Sequence, residues 1–181
     1  QESIAQSFIE AFTEKVKALK QGDKYDLSTE IGAMAREDLA IEIEEMVKQS
    51  LSEGATLRCG GKRTGAFYAP TVLTGVTPTM RVFREETFGP VAVITTFQDF
   101  EEAIALSNQS DFGLGVSIFS QNVDFVKSQA PRFDEGAVYI NEMLISDPHL
   151  PFGGIKHSGY GRELSHFGVS EFANIKTVVV K

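Results

Sequence analysis

The sequence has little of what marks secreted, membrane-spanning or nucleic-acid-binding proteins. Only one of its 181 residues is cysteine and none is tryptophan. The single thiol, Cys59, cannot form an internal disulfide, which favours a reducing, cytoplasmic compartment. No apolar run exceeds a few residues, so we expect no membrane-spanning helix. No secretory leader is visible, but the chain begins at Gln1, which predicts that an upstream segment is missing.

Basic residues and histidines are also scarce. Lys and Arg total 17 against 25 Asp and Glu, a formal net charge of −8. An acidic protein lacks the cations that neutralise phosphates, so we expect no nucleic-acid partner. The spacings between His149, His157 and His166 match no zinc motif, and Cys59 is far away in sequence. No metal site is therefore predicted.

Two amphipathic helices are predicted in the first third of the chain. The first has an apolar stripe that we expect to dock on a core. Its members are Ile4, Phe8, Phe12, Val16 and Leu19. The second helix runs from about Arg36 to Ser52, and Gly54 closes it. Between residues 54 and 90, frequent Gly and Pro predict only loops and brief strands.

From residue 91 onward strands and helices alternate. Strands are predicted at 91–97, 115–119 and 137–140, with Asp99 and Asn122 as N-caps of the helices between them. Short connections imply right-handed crossovers and a parallel sheet, so the fold class is α/β with a Rossmann-like βαβαβ order. Ligands of such sheets bind beyond the carboxyl ends of the strands, where Asn141 and the loop after it lie.

The end of the chain predicts a glycine-rich loop, a short helix and a final strand. The loop, residues 151–161, has glycines at spacings typical of phosphate-binding motifs. Tyr160 and Gly161 nevertheless replace the Lys and Ser/Thr of a P-loop, and Leu164 replaces the third glycine of a dinucleotide fingerprint. A helix is predicted within 162–172 and a strand at 177–180. The strand has no later element to cover it, which favours pairing with another chain.

One acidic loop remains as a candidate site. Adjacent carboxylates such as Glu85 and Glu86 are usually only solvated charge, yet a carboxylate can accept hydrogen bonds from both hydroxyls of a ribose. Phe88 would then offer a flat apolar wall to a ring. Cys59 has no base arranged beside it in sequence and is interpreted as an inert thiol.

Three stretches together resemble motifs of the aldehyde dehydrogenase family, in the family's order from residue 1 to residue 181. They are Glu-Glu-Thr-Phe-Gly-Pro-Val at 85–91; Asn108 with Phe-Gly-Leu-Gly at 112–115 and Phe119; and Gly-Ala-Val-Tyr-Ile-Asn at 136–141 followed by Pro-Phe-Gly-Gly-Ile-Lys-His-Ser-Gly-Tyr-Gly-Arg-Glu at 151–163.

The resemblance implies an oxidation of an aldehyde by NAD or NADP, through a Cys thiolate, a Glu general base and an Asn oxyanion donor. It implies that Glu86 holds the nicotinamide ribose and that Phe88 lines the nicotinamide. In the family the nucleophile, the base and the cofactor phosphate site precede the region matched here. No catalytic residue is therefore expected in this chain, which we expect to be inactive alone.

The resemblance also implies a substrate. Phe152 matches a position that lines the substrate pocket, and the loop 143–149 matches the loop that selects the substrate tail. Ile145 and Ser146 resemble the succinate-semialdehyde branch, particularly its bacterial type, in which a Ser helps hold the distal carboxylate. Simple loop capping is the alternative role for Ser146. Residues 1–170 would belong to the catalytic domain, and residues 171–181 would form a strand that joins subunits into a homo-oligomer.

Two other interpretations stay open. The chain could be a non-catalytic oligomerisation or binding module derived from the family. Alternatively, the substrate could be another small aldehyde, such as an aminoaldehyde.

Overall fold

A computed structural model describes residues 1–181, which divide into two compact units, residues 1–103 and residues 104–181. The first unit contains α1 (Glu2–Ala18), α2 (Glu37–Ser52), β1 (Thr56–Cys59), β2 (Arg63–Thr64), β3 (Phe67–Tyr68), β4 (Thr71–Thr74), α3 (Arg81–Arg84) and β5 (Val91–Ile94). The unit boundary falls within α4 (Phe100–Asn108). The second unit continues with β6 (Phe112–Gly113), β7 (Val116–Ile118), α5 (Val123–Gln129), β8 (Val138–Ile140), β9 (Ile155–Lys156) and α6 (Ser165–Glu171). None of the helices combines the length and hydrophobicity that crossing a bilayer requires.

Helices α1 and α2 form where the periodicity predicts them, but the most buried face of α1 is displaced from the predicted stripe, whose C-terminal members are half-buried. Ile9 and Thr13 are its buried residues, whereas Ile4 and Phe8 are 58% and 51% exposed. The buried row lies one position, or about 100°, around the helix from the predicted stripe. The helix carries two adjacent apolar rows, and periodicity alone does not decide which of them meets β1 and β4.

The sheet of the first unit has the order β1-β4-β5. Strand β4 pairs antiparallel with β1 and parallel with β5, and all four of its residues are buried. The strand predicted at Val91 is confirmed. It ends at Ile94, and its parallel partner comes from the stretch where only loops and brief strands are predicted. The partner is the most buried strand of the unit because α1 contacts this sheet.

A single hydrophobic cluster joins α2 to this sheet. Its buried members are Ile43, Met46, Val47, Ala55, Tyr68, Leu73, Val76, Met80 and Val82. Burying each large apolar side chain contributes about 1.5–3 kcal/mol relative to exposure. The cluster includes Met80 and Val82, so the N-cap residue and the single turn of α3 are attached directly to the core.

The second unit contains the predicted βαβ crossover. Strands β7 and β8 pair in parallel from Val116↔Val138 to Ile118↔Ile140. The intervening α5 is capped by Asn122, whose side chain accepts a hydrogen bond from the Phe125 N–H at 3.2 Å. The α/β class is thus confirmed. The β7–α5–β8 part of the predicted βαβαβ order forms a parallel pair, whereas β5 pairs with β4 in another sheet and does not join β7 and β8.

The C-terminal part of the chain has little regular structure of its own. Strand β9 pairs antiparallel with β6, and α6 confirms the predicted short helix. Residues 174–181 form neither helix nor strand within the single chain. Val178, Val179 and Val180 are 77–88% exposed. A strand at 177–180 would need a hydrogen-bonding partner from outside this chain, and the oligomerisation strand stays a prediction.

Candidate functional site

The acidic loop, residues 85–90, connects α3 to β5. At its start, the Glu85 N–H donates to the Arg81 carbonyl at 2.8 Å, which continues the turn of α3. At its end, the Pro90 carbonyl accepts from the Thr71 N–H of β4 at 2.8 Å. Both ends of this six-residue loop are therefore tied to elements of the first unit.

The two glutamates of the acidic loop have different environments. Glu85 is paired with Arg81, whose Nε lies 2.9 and 3.0 Å from the two carboxylate oxygens and whose Nη2 lies 2.6 Å from Oε2. This hydrogen bonding lowers the pKa of Glu85 below its ordinary value. Glu86 is exposed and makes no hydrogen bond or ion pair within the chain. Its four lone-pair positions are therefore available to a ligand.

Phe88 is presented to solvent by an unusual backbone conformation. Its ring is 79% exposed, and its φ is +46°, in the left-handed region that non-glycine residues rarely adopt. Gly89 follows in close contact with the core, since a Cβ there would collide with the Ile43 side chain and lie 3.2 Å from Met34 Cε. Close packing of Gly89 holds Phe88 outward at a conformational cost of order 1–3 kcal/mol.

The loop after β8, residues 142–150, contains the predicted substrate-selecting residues 143–149, is called the substrate loop after that prediction, and is anchored at several points in the second unit. The side chain of Leu144 packs where a Cβ on Gly115 would come within 2.8 Å of it. The Tyr139 hydroxyl donates to the Ile145 carbonyl at 2.8 Å, and the Ser165 N–H donates to the Pro148 carbonyl at 3.0 Å. Ser146 thus lies between residues whose backbone is fixed by hydrogen bonds.

The Ser146 hydroxyl itself is exposed and makes no hydrogen bond within the chain. Loop capping is done by its neighbour Asp147, which accepts from the His149 N–H at 2.8 Å and contacts His149 Nδ1 at 3.0 Å. The backbone hydrogen bond, followed by the imidazole contact, lowers the pKa of Asp147. The structure therefore gives the capping role to Asp147, and leaves the Ser146 hydroxyl as a donor for a ligand.

Phe152 is half-buried and hydrogen-bonded along its backbone. Its N–H and carbonyl exchange hydrogen bonds with Glu163 at 2.9 and 2.8 Å. The neighbouring residues Leu164 and Ser165 both have a left-handed backbone, with φ of +63° and +49°. The segment 163–165 therefore holds Phe152 and, through Ser165, also the Pro148 end of the substrate loop.

Left-handed backbone at non-glycine residues occurs in the acidic loop, beside the substrate loop and in β9 of the glycine-rich loop. The five positions are Phe88, Asn141, Lys156, Leu164 and Ser165. One lies in the acidic loop, one begins the substrate loop, and three lie in the segment that follows it. Strain of this kind persists where the surrounding structure determines the backbone, commonly at ligand sites.

Several polar residues near these loops have structural roles. The Asn141 amide exchanges hydrogen bonds with the backbone of Ser120 at 2.8 and 2.9 Å, which joins the ends of β7 and β8. Cys59 Sγ faces the Pro70 carbonyl at 3.9 Å, next to the irregular pairing of β1 with β4. These contacts give the Asn141 amide a structural role at the ends of β7 and β8 and place no base beside the Cys59 thiol.

The glycine-rich loop encloses a shallow concavity of about 440 Å³ within the second unit. Its two cationic side chains are hydrogen-bonded to backbone carbonyls of the same chain. Lys156 Nζ donates to the carbonyls of Asn108 and Ser110. Arg162 donates to the carbonyls of Gly154 and Gly161. The glycines permit close backbone approach, as at Gly136, where any Cβ would overlap the Gly153 carbonyl. The loop is a packing element, which agrees with its failure to match either nucleotide fingerprint.

Two residues that support the site are missed by the sequence analysis. Arg81 could have been found, because it stands four residues before Glu85, at the spacing of a helical ion pair. Tyr139 could not, because its contact with Ile145 depends on how the substrate loop turns back after β8.

Comparison of the sequence with known proteins matches the chain to one enzyme family. The model of the "Aldehyde dehydrogenase family" matches residues 1–178. A succinate semialdehyde dehydrogenase [NAD(P)+] of Escherichia coli is 48% identical, over 98% of this chain and 39% of its own length. A probable succinate-semialdehyde dehydrogenase [NADP(+)] of Synechocystis is 45% identical, over 98% and 40%. The chain therefore spans about two fifths of the length of these relatives.

Solved structures similar to this chain are also aldehyde dehydrogenases. A succinic semialdehyde dehydrogenase of Streptococcus pyogenes in complex with NADP+ superimposes with a TM-score of 0.92 at 37% identity, over 98% of this chain and 40% of that one. A betaine aldehyde dehydrogenase of Staphylococcus aureus in complex with NAD+ gives 0.88 at 37% identity, over 95% and 36%. With the family model covering nearly every residue, the chain belongs to the aldehyde dehydrogenase family.

Proposed function

We propose that this chain is part of an NAD(P)-dependent aldehyde dehydrogenase that oxidises succinate semialdehyde to succinate. The observation that carries the proposal is the contrast within the acidic loop. Glu85 is neutralised by Arg81, whereas Glu86 is unpaired and lies two residues before an outward-facing Phe88. A free carboxylate beside an exposed aromatic ring suits the ribose and the ring of a nicotinamide nucleotide.

The cofactor fits the residues that are present. Glu86 would accept hydrogen bonds from the ribose hydroxyls, and Phe88 would pack on the nicotinamide ring. The bound nucleotide supplies the acceptor for the hydride that leaves the substrate. Glu86 and Phe88 would orient the ring and exclude water from one side of it.

The nucleophile, the general base and the oxyanion donor are assigned to sequence outside these 181 residues. The thiol of Cys59 is held next to the Pro70 carbonyl and has no base beside it. A nucleophilic cysteine is activated by a neighbouring general base. We therefore propose that the 181 residues alone do not oxidise aldehydes.

The substrate assignment rests on Ser146 and Phe152. The Ser146 hydroxyl is exposed on an anchored loop and has no partner in the chain, so it can donate to the distal carboxylate of succinate semialdehyde. Phe152 offers a half-buried apolar wall to the carbon chain. The relatives from Escherichia coli and Synechocystis are named for the same substrate.

The cofactor assignment is tested by Glu86→Gln in the complete enzyme. Binding of NADH and NADPH is measured by the fluorescence of the reduced nicotinamide, which needs no turnover. We expect the dissociation constant to rise about tenfold to a hundredfold, because a hydrogen bond to a charged group contributes roughly 1.5–3 kcal/mol. Glu53→Gln removes an exposed carboxylate elsewhere in the first unit and serves as the control. Equal constants for the two variants would contradict the assignment.

A further inference from the structure

We propose that Arg81 is a positioning residue for the cofactor, because its ion pair with Glu85 holds the acidic loop in the conformation that presents Glu86 and Phe88. The inference rests on the function proposed above. It concerns a residue that does not itself touch cofactor or substrate, and whose effect is exerted through Glu85.

The ion pair between Arg81 and Glu85 restrains the start of the acidic loop and is called the clamp below. The Arg81 guanidinium meets both oxygens of Glu85 with three contacts of 2.6–3.0 Å. The same nitrogen, Arg81 Nη2, also lies 3.9 Å from Glu42 Oε1 on α2. The beginning of the loop is thereby tied to the helix that supplies much of the core of the first unit.

The clamp also removes a competing charge. Without Arg81, the loop would present two adjacent carboxylates, with Glu42 close by. Either of the two could then take the ribose hydroxyls, and their combined negative charge would repel a nucleotide that carries phosphates. With Glu85 neutralised, Glu86 is the one carboxylate of the loop that is free to accept.

Phe88 explains why the loop must be held at both ends. Its left-handed backbone, with φ of +46°, relaxes unless the surroundings determine it. Gly89 and Pro90 fix the side that leads into β5 through the core contact and the Thr71 hydrogen bond. The Arg81–Glu85 pair is the corresponding restraint on the other side.

If the Arg81–Glu85 pair only stabilised the fold, its loss would lower the free energy of unfolding and leave the cofactor affinity of the folded enzyme unchanged. The side chains of Arg81 and Glu85 are 31% and 49% exposed, and ion pairs of such exposure contribute little to the free energy of unfolding. Loss of the pair should therefore change the order of the acidic loop and the affinity for cofactor, with little effect on global stability.

The experiment uses Arg81→Met in the complete enzyme. We expect the dissociation constant of the reduced cofactor to rise about fivefold to twentyfold, less than for Glu86→Gln, because Arg81 acts on the cofactor only through Glu85. The KM of the aldehyde at saturating cofactor and the melting temperature should stay near those of the parent. Amide exchange at residues 86–88 without cofactor should become faster.

The matched control is Arg36→Met. Arg36 also makes two hydrogen bonds of 2.9 Å to one carboxylate, that of Asp38, but it lies outside the acidic loop. This variant should leave both cofactor affinity and exchange at 86–88 unchanged. Arg81→Lys keeps the charge without the two-pronged geometry and should recover part of the affinity.

Two comparisons separate this inference from the proposed function. If Glu86→Gln weakens cofactor binding while Arg81→Met behaves like Arg36→Met, the positioning role is wrong and the cofactor assignment stands. If Glu86→Gln leaves cofactor binding unchanged, the proposed function is wrong, and the positioning role, which depends on it, is overturned as well.

Discussion

Glu85 and Glu86 are chemically identical neighbours, and at the residue scale their difference comes from one arginine. Arg81 begins the one-turn helix α3, four positions before Glu85, and so reaches Glu85 but not Glu86. A similar division exists in the substrate loop, where Asp147 caps the turn and the Ser146 hydroxyl makes no bond. In both loops one polar residue stabilises the backbone and its neighbour is free for a ligand.

A first prediction at this scale concerns Ser146→Ala. We expect the KM for succinate semialdehyde to rise roughly threefold to thirtyfold, because a hydroxyl that donates to a carboxylate is lost. The KM for an uncharged aldehyde of similar length should change much less. Ser146→Thr keeps the hydroxyl and should retain most of the discrimination. Equal increases for the two aldehydes would remove the reason for assigning Ser146 to the carboxylate, and an aminoaldehyde would then be tested next.

At the scale of the elements, the N-caps act where the sequence predicts them. Asp99 accepts from the Glu102 N–H at 2.9 Å, and the Glu102 carboxylate accepts in return from the Gln98 N–H at 2.8 Å. Asn122 begins α5, the crossover between the parallel strands β7 and β8. Caps of this kind depend on residues within four positions of each other, and local sequence therefore predicts them well.

Removal of the Asn122 cap should have a measurable cost. We expect Asn122→Ala to lower the free energy of unfolding by about 1 kcal/mol, because the Phe125 N–H loses its acceptor. Urea unfolding followed by circular dichroism measures the change. Asn122→Asp keeps an acceptor oxygen and should lie within a few tenths of a kcal/mol of the parent. An alanine variant as stable as the aspartate variant would show that the cap is dispensable.

At the scale of the whole molecule, the core of the first unit contains one ionisable group, Tyr68, whose pKa is shifted by burial. Tyr68 is 1% exposed among the apolar residues packed between α2 and the sheet. Burial disfavours the charged phenolate and raises the pKa of Tyr68 to about 12 from the ordinary 10.0.

The raised pKa of Tyr68 makes the free energy of unfolding depend on pH. The folded state holds the Tyr68 proton more tightly than the unfolded state, so this contribution to stability is complete below pH 10 and is lost as the pH rises toward 12. The loss is about 2–3 kcal/mol at most. Urea unfolding between pH 9 and 12 measures it, with Tyr68→Phe as the variant that lacks the titrating group. A parent whose stability falls no more steeply than that of the variant would contradict the prediction.

The exposed C-terminal segment leads to a prediction about assembly. Ile175 and the three valines at 178–180 are 77–88% exposed in the single chain. Pairing with a second subunit would bury part of this apolar surface and satisfy the unpaired backbone. Deletion of residues 174–181 from the complete enzyme leaves α6 intact and should lower the molar mass of the oligomer in light scattering. An unchanged mass would show that subunits associate through another surface.

The sequence by itself determined the local features of this protein. The extents of α1 and α2, the caps at Asp99 and Asn122 and the family motifs depend on neighbours in the chain or on residue identity. The positions of Glu86, Phe88, Ser146 and Phe152 were likewise readable from the motifs, although their roles remain proposals.

Only the tertiary structure decided which surfaces and groups are in use. It buried Ile9 in place of Phe8, because two apolar rows on one helix compete and the sheet selects between them. It paired β5 with β4, since strand partners depend on contacts between distant residues. It also gave Glu85 and Asp147 hydrogen-bonding partners and left Glu86 and Ser146 without one. Which of two neighbouring polar residues finds a partner depends on the groups that the fold brings close to each.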